Sequence, residues 1–252
     1  MALVVSVVLQ GKDKADYHKM ANAFAQSLHE NSPITKNMLY ISNQVPPPGE
    51  DHKGRWMYTN TVKLGIWLKV QRENPSQDMV LADADMLCLD RVEKIFEQYE
   101  FDVAICNRTD DDPKAPKYNA GIVFLRGDTY NRNAMDFMRE WFNINDRMYN
   151  DPLMHKPYRR KYCGMNQASL GYLMERKEEL VPHVNVIEIP TFMVNSCCEK
   201  DWRDTEEALT LKMTPPTFLH LKGSLRKMFL LGKDHPYYPN ISETWRHYVR
   251  KS

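Results

Sequence analysis

Two carboxylates one residue apart, Asp83 and Asp85, interrupt the apolar run Met-Val-Leu-Ala-Asp-Ala-Asp-Met-Leu-Cys-Leu at residues 79–89. The run reads as a strand of parallel-sheet type, and open α/β sheets bind ligands beyond the carboxyl ends of such strands. Mg²⁺ and Mn²⁺ favour oxygen ligands, use one or two protein carboxylates, and complete their shell with water and substrate phosphates. An Asp-x-Asp turn at this point is therefore a candidate cation site for phosphorylated, sugar-nucleotide-type substrates. The competing use of the pair is to satisfy turn or cap donors before a helix near residues 90–99. A second cluster, His155-Lys156-Pro157-Tyr158-Arg159-Arg160-Lys161-Tyr162, interleaves cations with aromatic rings. That mixture suits a phosphate backbone with stacking groups, and its plainer use is a solvated loop.

The elements that must position these residues follow from apolar spacing. Leu3 to Leu9 is a strand, and Tyr17, Met20, Ala21, Phe24 and Leu28 mark one buried face of the helix after it. Met38 to Ser42 is the next strand; Pro46-Pro47-Pro48-Gly49 then breaks the chain before a helix near Trp56 to Arg72. Val92, Ile95, Phe96 and Tyr99 mark a helix, followed by strands at Asp102 to Cys106 and Gly121 to Leu125. Ala134, Phe137, Met138 and Trp141 belong to another amphipathic helix. Residues 143–164, with Pro152 and Pro157, have no clean period and are expected to be a long connection. A helix at Met165 to Arg176, strands at Val184 to Ile189 and Phe218 to Leu221, and a last helix near Ser242 to Arg250 complete the reading. The alternation predicts an α/β chain with a single, mostly parallel sheet flanked by helices.

At 252 residues one substantial core is expected, hence one domain over 1–252. Lys and Arg number 34 against 33 Asp and Glu, a formal charge of +1, so nucleic acid or an acidic membrane would have to be met by a local patch. The first strand is too short for an anchor and lacks the flanks of a signal peptide, so Met1 is expected to start the mature chain. Five cysteines without CxxC spacing fit reduced thiols in a cytoplasmic protein, the host cytoplasm if the source is viral.

Four separated segments, taken in order, resemble GT-A fold glycosyltransferases, especially the family 8 group of glycogenin-like and bacterial galactosyl- and glucosyltransferases, over roughly residues 3–230. The resemblance implies a Rossmann-like nucleotide-diphospho-sugar transferase fold, mixed but mostly parallel. Its N-terminal part would bind the nucleotide and its C-terminal part the acceptor. Asp83-Ala84-Asp85 resembles the family's metal motif, which holds Mn²⁺ or Mg²⁺ against the donor diphosphate. Asn119-Ala120-Gly121 is similar to the Asn-Ala-Gly segment beside the donor sugar. His220-Leu-Lys-Gly223-Ser-Leu-Arg226 resembles His-x-x-Gly-x-x-Lys. There the His is the third metal ligand, and Gly and Lys meet the diphosphate; Arg226 replaces Lys, keeping the charge and adding a two-pronged donor. Asn166-Gln167 falls where the family has Asp-Gln beside the transferred sugar, with an amide in place of the acid. Asp13 and Tyr17 resemble the positions that contact base and ribose, although Tyr17 also fits a buried helix face.

These matches imply a metal-dependent hexosyltransferase using a UDP-sugar, with retention, since no matched segment supplies an acceptor-side carboxylate base. The basic segment 155–162 suggests a phage-type enzyme acting on a hydroxymethylated pyrimidine in DNA, a base that must be flipped out or already exposed. Glycan, lipid and protein acceptors are the alternatives. So are a sugar nucleotidyltransferase, for which Gln10-Gly11-Lys12-Asp13-Lys14 is a poor phosphate loop, and a non-catalytic nucleotide-sugar or nucleic-acid binding module.

Overall fold

The computed structural model describes residues 2–9, 14–42, 52–108, 116–128 and 132–251. Asp13 and the Pro46 to Gly49 segment lie outside them. The first half of the chain runs β1 (Leu3–Leu9), α1 (Lys14–Asn31), β2 (Lys36–Ser42), α2 (His52–Glu73), β3 (Met79–Ala82), β4 (Met86–Cys88), α3 (Glu93–Gln98), β5 (Val103–Asn107) and β6 (Tyr118–Leu125). Then follow α4 (Asn133–Asn150), α5 (Pro152–Tyr162), α6 (Asn166–Glu175), α7 (Lys177–Leu180), β7 (Val186–Pro190), α8 (Thr191–Val194), α9 (Glu199–Thr210), β8 (Phe218–His220), α10 (Gly223–Leu230) and α11 (Pro239–Lys251).

Six strands form a sheet in the order β2-β1-β3-β6-β5-β7. The β1·β2, β1·β3 and β5·β7 pairs are parallel, whereas β6 runs antiparallel to both neighbours. The expected mostly parallel sheet is thus present with one reversed central strand. About ten residues join β5 to β6, too few for the helical crossover that a parallel pair requires. Side chains alternate across the sheet as strand geometry dictates. Leu3, Val5, Val7, Met79, Leu81 and Val123 pack on one face with Leu64 and Trp67 of α2 and with Phe137 and Trp141 of α4. Val4, Val80, Ala82, Ile122 and Phe124 pack on the other with Phe24 and Leu28 of α1 and Phe218 of β8.

Residues 143–164 are helical except at Asp151, Cys163 and Gly164, contrary to the expected long connection. α4 continues to Asn150, and α5 starts at once, with Asp151 as N-cap accepting from the amides of Leu153 (2.9 Å) and Met154 (3.2 Å) and with Pro152 in its first turn. Pro157 removes only the bond to the carbonyl of Leu153, a residue 82% exposed, where water can replace it. Helices α9 and α10 have no counterpart in the sequence reading. Among the described residues no helix is long and apolar enough to cross a membrane.

Candidate functional site

Residues 83–85 carry the chain from one sheet to another. β3 ends in the large sheet at Ala82, and β4, starting at Met86, pairs antiparallel with β8, Met86 opposite His220. Main-chain bonds fasten the crossing at both ends: Asp83 N–H donates to Gly121 O (2.8 Å) and Leu221 N–H to Asp85 O (2.8 Å). Two segments far apart in sequence, 83–85 and the end of β8, therefore deliver Asp83, Asp85 and His220 to one point, their ligand atoms within 4.8 Å of one another. Neither aspartate caps the helix that follows; Asp90 makes the local turn contact there, accepting from Arg91 N–H at 2.8 Å.

His220 is fully buried, its Nε2 lying 3.2 Å from Asp85 Oδ1 and 3.6 Å from Asp83 Oδ2. Neither ring nitrogen makes an aligned hydrogen bond. Such orphaned nitrogens are costly in a dry interior and call for a ligand. Burial, reinforced by Lys222, pushes the imidazole pKa down against the pull of both aspartates, toward the neutral form that ligates metals. Burial alone would raise Asp85, but His220, Arg226 and Lys222 outweigh it and hold the carboxyl far below the usual range. One neutral imidazole and two carboxylates fit a divalent cation, for which neighbouring ligand atoms about 3 Å apart are the norm at bonds of about 2.1 Å.

Gly121 makes this convergence possible. A Cβ on it would lie 2.5 Å from His220 Cε1, 2.8 Å from Asn119 Oδ1 and 2.9 Å from Asp83 Oδ2. Asn119 accepts from Gly121 N–H at 2.8 Å, and Asn119, Ala120 and Gly121 all lie buried within β6, which starts at Tyr118, three residues before the expected Gly121. Gly223 opens α10 at φ +50°, a backbone state favouring glycine, with Trp202 beneath it. From α10, Arg226 Nη1 donates to Asp85 Oδ2 (3.1 Å) and to the Tyr17 hydroxyl (3.0 Å). Burial works against its charge, yet Tyr17 and Asp85 hold it protonated. Tyr17 is half-buried, so it serves both the packed helix face and this contact.

Asn166 and Gln167 open α6. Gln167 Nε2 donates to the carbonyls of Tyr118 (3.0 Å) and Tyr162 (3.1 Å), docking the helix on the start of β6. Asn166 is buried; its Oδ1 accepts from Asn145 Nδ2 at 3.0 Å, and its own Nδ2 has no partner.

Two residues of this wall escaped the sequence reading. Lys63 of α2 ion-pairs with Asp83, and its ammonium sits 4.5 Å from the Trp67 ring centroid. Asn145 of α4, fully buried, accepts from Thr61 (2.8 Å) and donates to Asn166 and to Ser169 Oγ (3.0 Å). Met138, Trp141, Asn145 and Met148 share one stripe, so an amide at a position whose spacing assigns it to the core was the available signal.

The basic segment is different from expectation. Tyr162 stacks between Tyr118 (5.7 Å) and Tyr158 (6.4 Å), and Tyr158 abuts Tyr172 (4.9 Å). His155 is buried and Lys161 pairs with Glu175 at 2.6 Å. The rings hold α5 to α6 and β6 and are not presented for stacking on a base; exposed charge is left at Lys156 and Arg160.

The sheet order, the reversed β6 and the acid pair at the β3 exit define a GT-A glycosyltransferase fold. Solved structures bear this out. A glycosyltransferase involved in the glycosylation of the major capsid of PBCV-1 superposes with TM-score 0.59 at 11% identity, over 99% of this chain and 98% of that one. GlyE of Streptococcus pneumoniae TIGR4 gives 0.56 at 11%, over 98% of this chain and 59% of its own. The galactosyltransferase LgtC in complex with donor and acceptor sugar analogs gives 0.55 at 11%, over 100% and 96%. No family model and no curated protein sequence matches the chain.

Proposed function

We propose that the protein is a metal-dependent glycosyltransferase that moves a hexose from a UDP-sugar to an acceptor hydroxyl with retention. The observation that carries this reading is the buried His220, both ring nitrogens unpartnered, facing Asp83 and Asp85 on a glycosyltransferase fold. Bound there, Mn²⁺ or Mg²⁺ would neutralise charge on the departing diphosphate. Asp83, Asp85 and His220 hold the cation, and Arg226 and Lys63, already at the carboxylates, supply further positive charge to the phosphates. Tyr17 contacts the nucleoside, Asn119 to Gly121 line the sugar, and Gly223 lets the main chain approach the diphosphate. Asn166 and Gln167 orient the sugar through amide hydrogen bonds. Amides at these two positions cannot act as a carboxylate base, which favours retention.

The acceptor reading with DNA rests on Lys156 and Arg160 alone, since the tyrosines are packed inside. One neighbour is involved in the glycosylation of the major capsid of PBCV-1 and LgtC was seen in complex with donor and acceptor sugar analogs, so protein and glycan acceptors stand beside it. Thermal stabilisation by a nucleoside diphosphate panel with and without Mn²⁺ tests the donor site, because a ligand of the native state raises the melting temperature. A Mn²⁺-dependent shift with UDP is expected; no shift with any nucleotide would overturn the assignment. For the acceptor, Lys156→Gln/Arg160→Gln should weaken DNA binding and flatten its salt dependence, and unchanged binding would exclude DNA at this helix.

A further inference from the structure

The opposite end of the sheet holds a second, differently built cavity. β3 leads from Met79 to the metal cluster, while Met79 pairs with Leu125, so Gln71 to Pro75 before β3 and Arg126 to Asp128 after β6 gather at the far strand ends. The four residues of β3 alone put roughly 13 Å between the two ends. A cavity of about 240 Å³ there is lined by Gln71, Arg72, Arg126, Asp128, Arg132 and Arg139 and by the first turn of α4.

These arginines are not equivalent. Arg126 is committed, its Nη2 donating to the carbonyls of Phe96 (2.8 Å) and Tyr99 (2.9 Å), and Nη1 lies 3.7 Å from Asp78. Arg139 lies 3.1 Å from Asp136. Arg72 and Arg132 have no acidic partner among the described residues. Arg132 is also the N-cap of the 18-residue helix α4 and supplies no side-chain cap. Ala134 and Met135, in the first turn of α4, stand at the cavity wall, so the cavity faces the N-terminal end of that helix. The positive helix end and two guanidiniums without an ion-pair partner among the described residues together select an anion, phosphate above all.

The lining also asks for hydrogen-bond donors. Gln71 is 95% buried, being only 5% exposed, and its Oε1 has no partner. Asp128 brings carboxylate oxygens to the same cavity. Acceptors of this kind do not recognise bare phosphate but match hydroxyl groups. We propose that this cavity binds a sugar phosphate: the phosphate at Arg72, Arg132 and the start of α4, the sugar hydroxyls at Gln71 and Asp128. The phosphorylated sugar is either free in solution or the headgroup of a lipid.

Isothermal titration of the full chain with glucose 6-phosphate, inorganic phosphate and glucose tests the site. Flotation with phosphatidylcholine vesicles, with and without phosphatidylinositol 4-phosphate, separates the two sources. Binding of glucose 6-phosphate at one equivalent is expected, at least tenfold tighter than either half alone and unaffected by UDP with Mn²⁺. Binding to the phosphorylated vesicles alone assigns the headgroup instead and equally supports the site. Arg72→Gln/Arg132→Gln should weaken the active probe at least tenfold, and Gln71→Leu should weaken it while sparing inorganic phosphate. Arg203→Gln/Arg250→Gln, which removes the same charge elsewhere on exposed helices, should change nothing. Failure of every phosphorylated probe, equal losses in both arginine pairs, or displacement by UDP with Mn²⁺ would each overturn the proposal. The last result would do so without touching the donor-site reading.

Discussion

Helix α2 reaches two buried polar clusters, one through Lys63 and one through Thr61, and they are built on opposite terms. Around Asn145, donors and acceptors are matched within the fold: Thr61 donates to it, it donates to Asn166 and Ser169, and Trp141 Nε1 donates to Ser169 Oγ at 3.0 Å. Only the Asn166 amide nitrogen is left over. Around His220 both ring nitrogens are left over, and the carboxylates are neutralised by long side chains that can leave, Lys63 and Arg226. A buried polar atom without a partner costs about 1–3 kcal/mol. The Asn145 cluster meets that cost at one atom alone and so holds α2, α4 and α6 together, whereas the His220 cluster leaves both ring nitrogens without a protein partner.

The comparison breaks most visibly at Asp85. Asp85→Asn keeps the size of the side chain and removes its charge. UDP affinity in Mn²⁺ should fall at least 100-fold while the ligand-free melting temperature stays within about 4 °C, the equivalent of roughly 1 kcal/mol in a chain of this size. A surviving Mn²⁺-dependent shift would show that the cluster is not where the ligand is held. Asn145→Ala should do the reverse: a loss of about 2–3 kcal/mol in urea unfolding, because Thr61, Asn166 and Ser169 all lose a partner, with the Mn²⁺ response retained. Wild-type stability in that variant would erase the distinction.

A smaller effect sharpens the boundary of the ligand-dependent region. Gly223→Ala places a side chain at φ +50° where there is room for it, so the cost is backbone strain of about 1 kcal/mol, read from the same unfolding curves. A loss above about 3 kcal/mol would mean a packing defect instead. The smallest effect lies far from both clusters. Burial raises the Glu93 pKa, but hydrogen bonds from Ser32 (2.6 Å) and Thr35 outweigh it and lower the carboxyl below its ordinary value. A depressed carboxylate stabilises the fold fully above the unfolded-state value and loses that contribution as pH falls through the native one. The stability gap between wild type and Glu93→Gln should therefore be complete at neutral pH and close in acid. A gap that persists below the native value would assign it to packing alone.

The Asp83, Asp85 and His220 cluster was legible because its residue types are local in sequence even where its geometry is not. Asp83, Asp85, His220 and Gly223 each sit in a short motif, and motif order was enough to group them. Lys63 and Asn145 carry no motif. Each is one polar residue on a helix that buries an apolar face, and only packing reveals what it meets. The direction of β6 was hidden for a related reason: its residues suit a parallel or an antiparallel neighbour equally, and the short link from β5 decides. The prolines of α5 were read as breaks, although Asp151-Pro152 is a cap followed by a favourable first-turn residue.

One contact also equips the molecule with an optical readout. The Lys63 ammonium, bound to Asp83, sits over the indole of Trp67, which is sealed from solvent. Any species that takes Asp83 from Lys63 changes the electric field across that ring, so the intrinsic fluorescence of Trp67 reports site occupancy without a label, a coupling enzyme or knowledge of the acceptor.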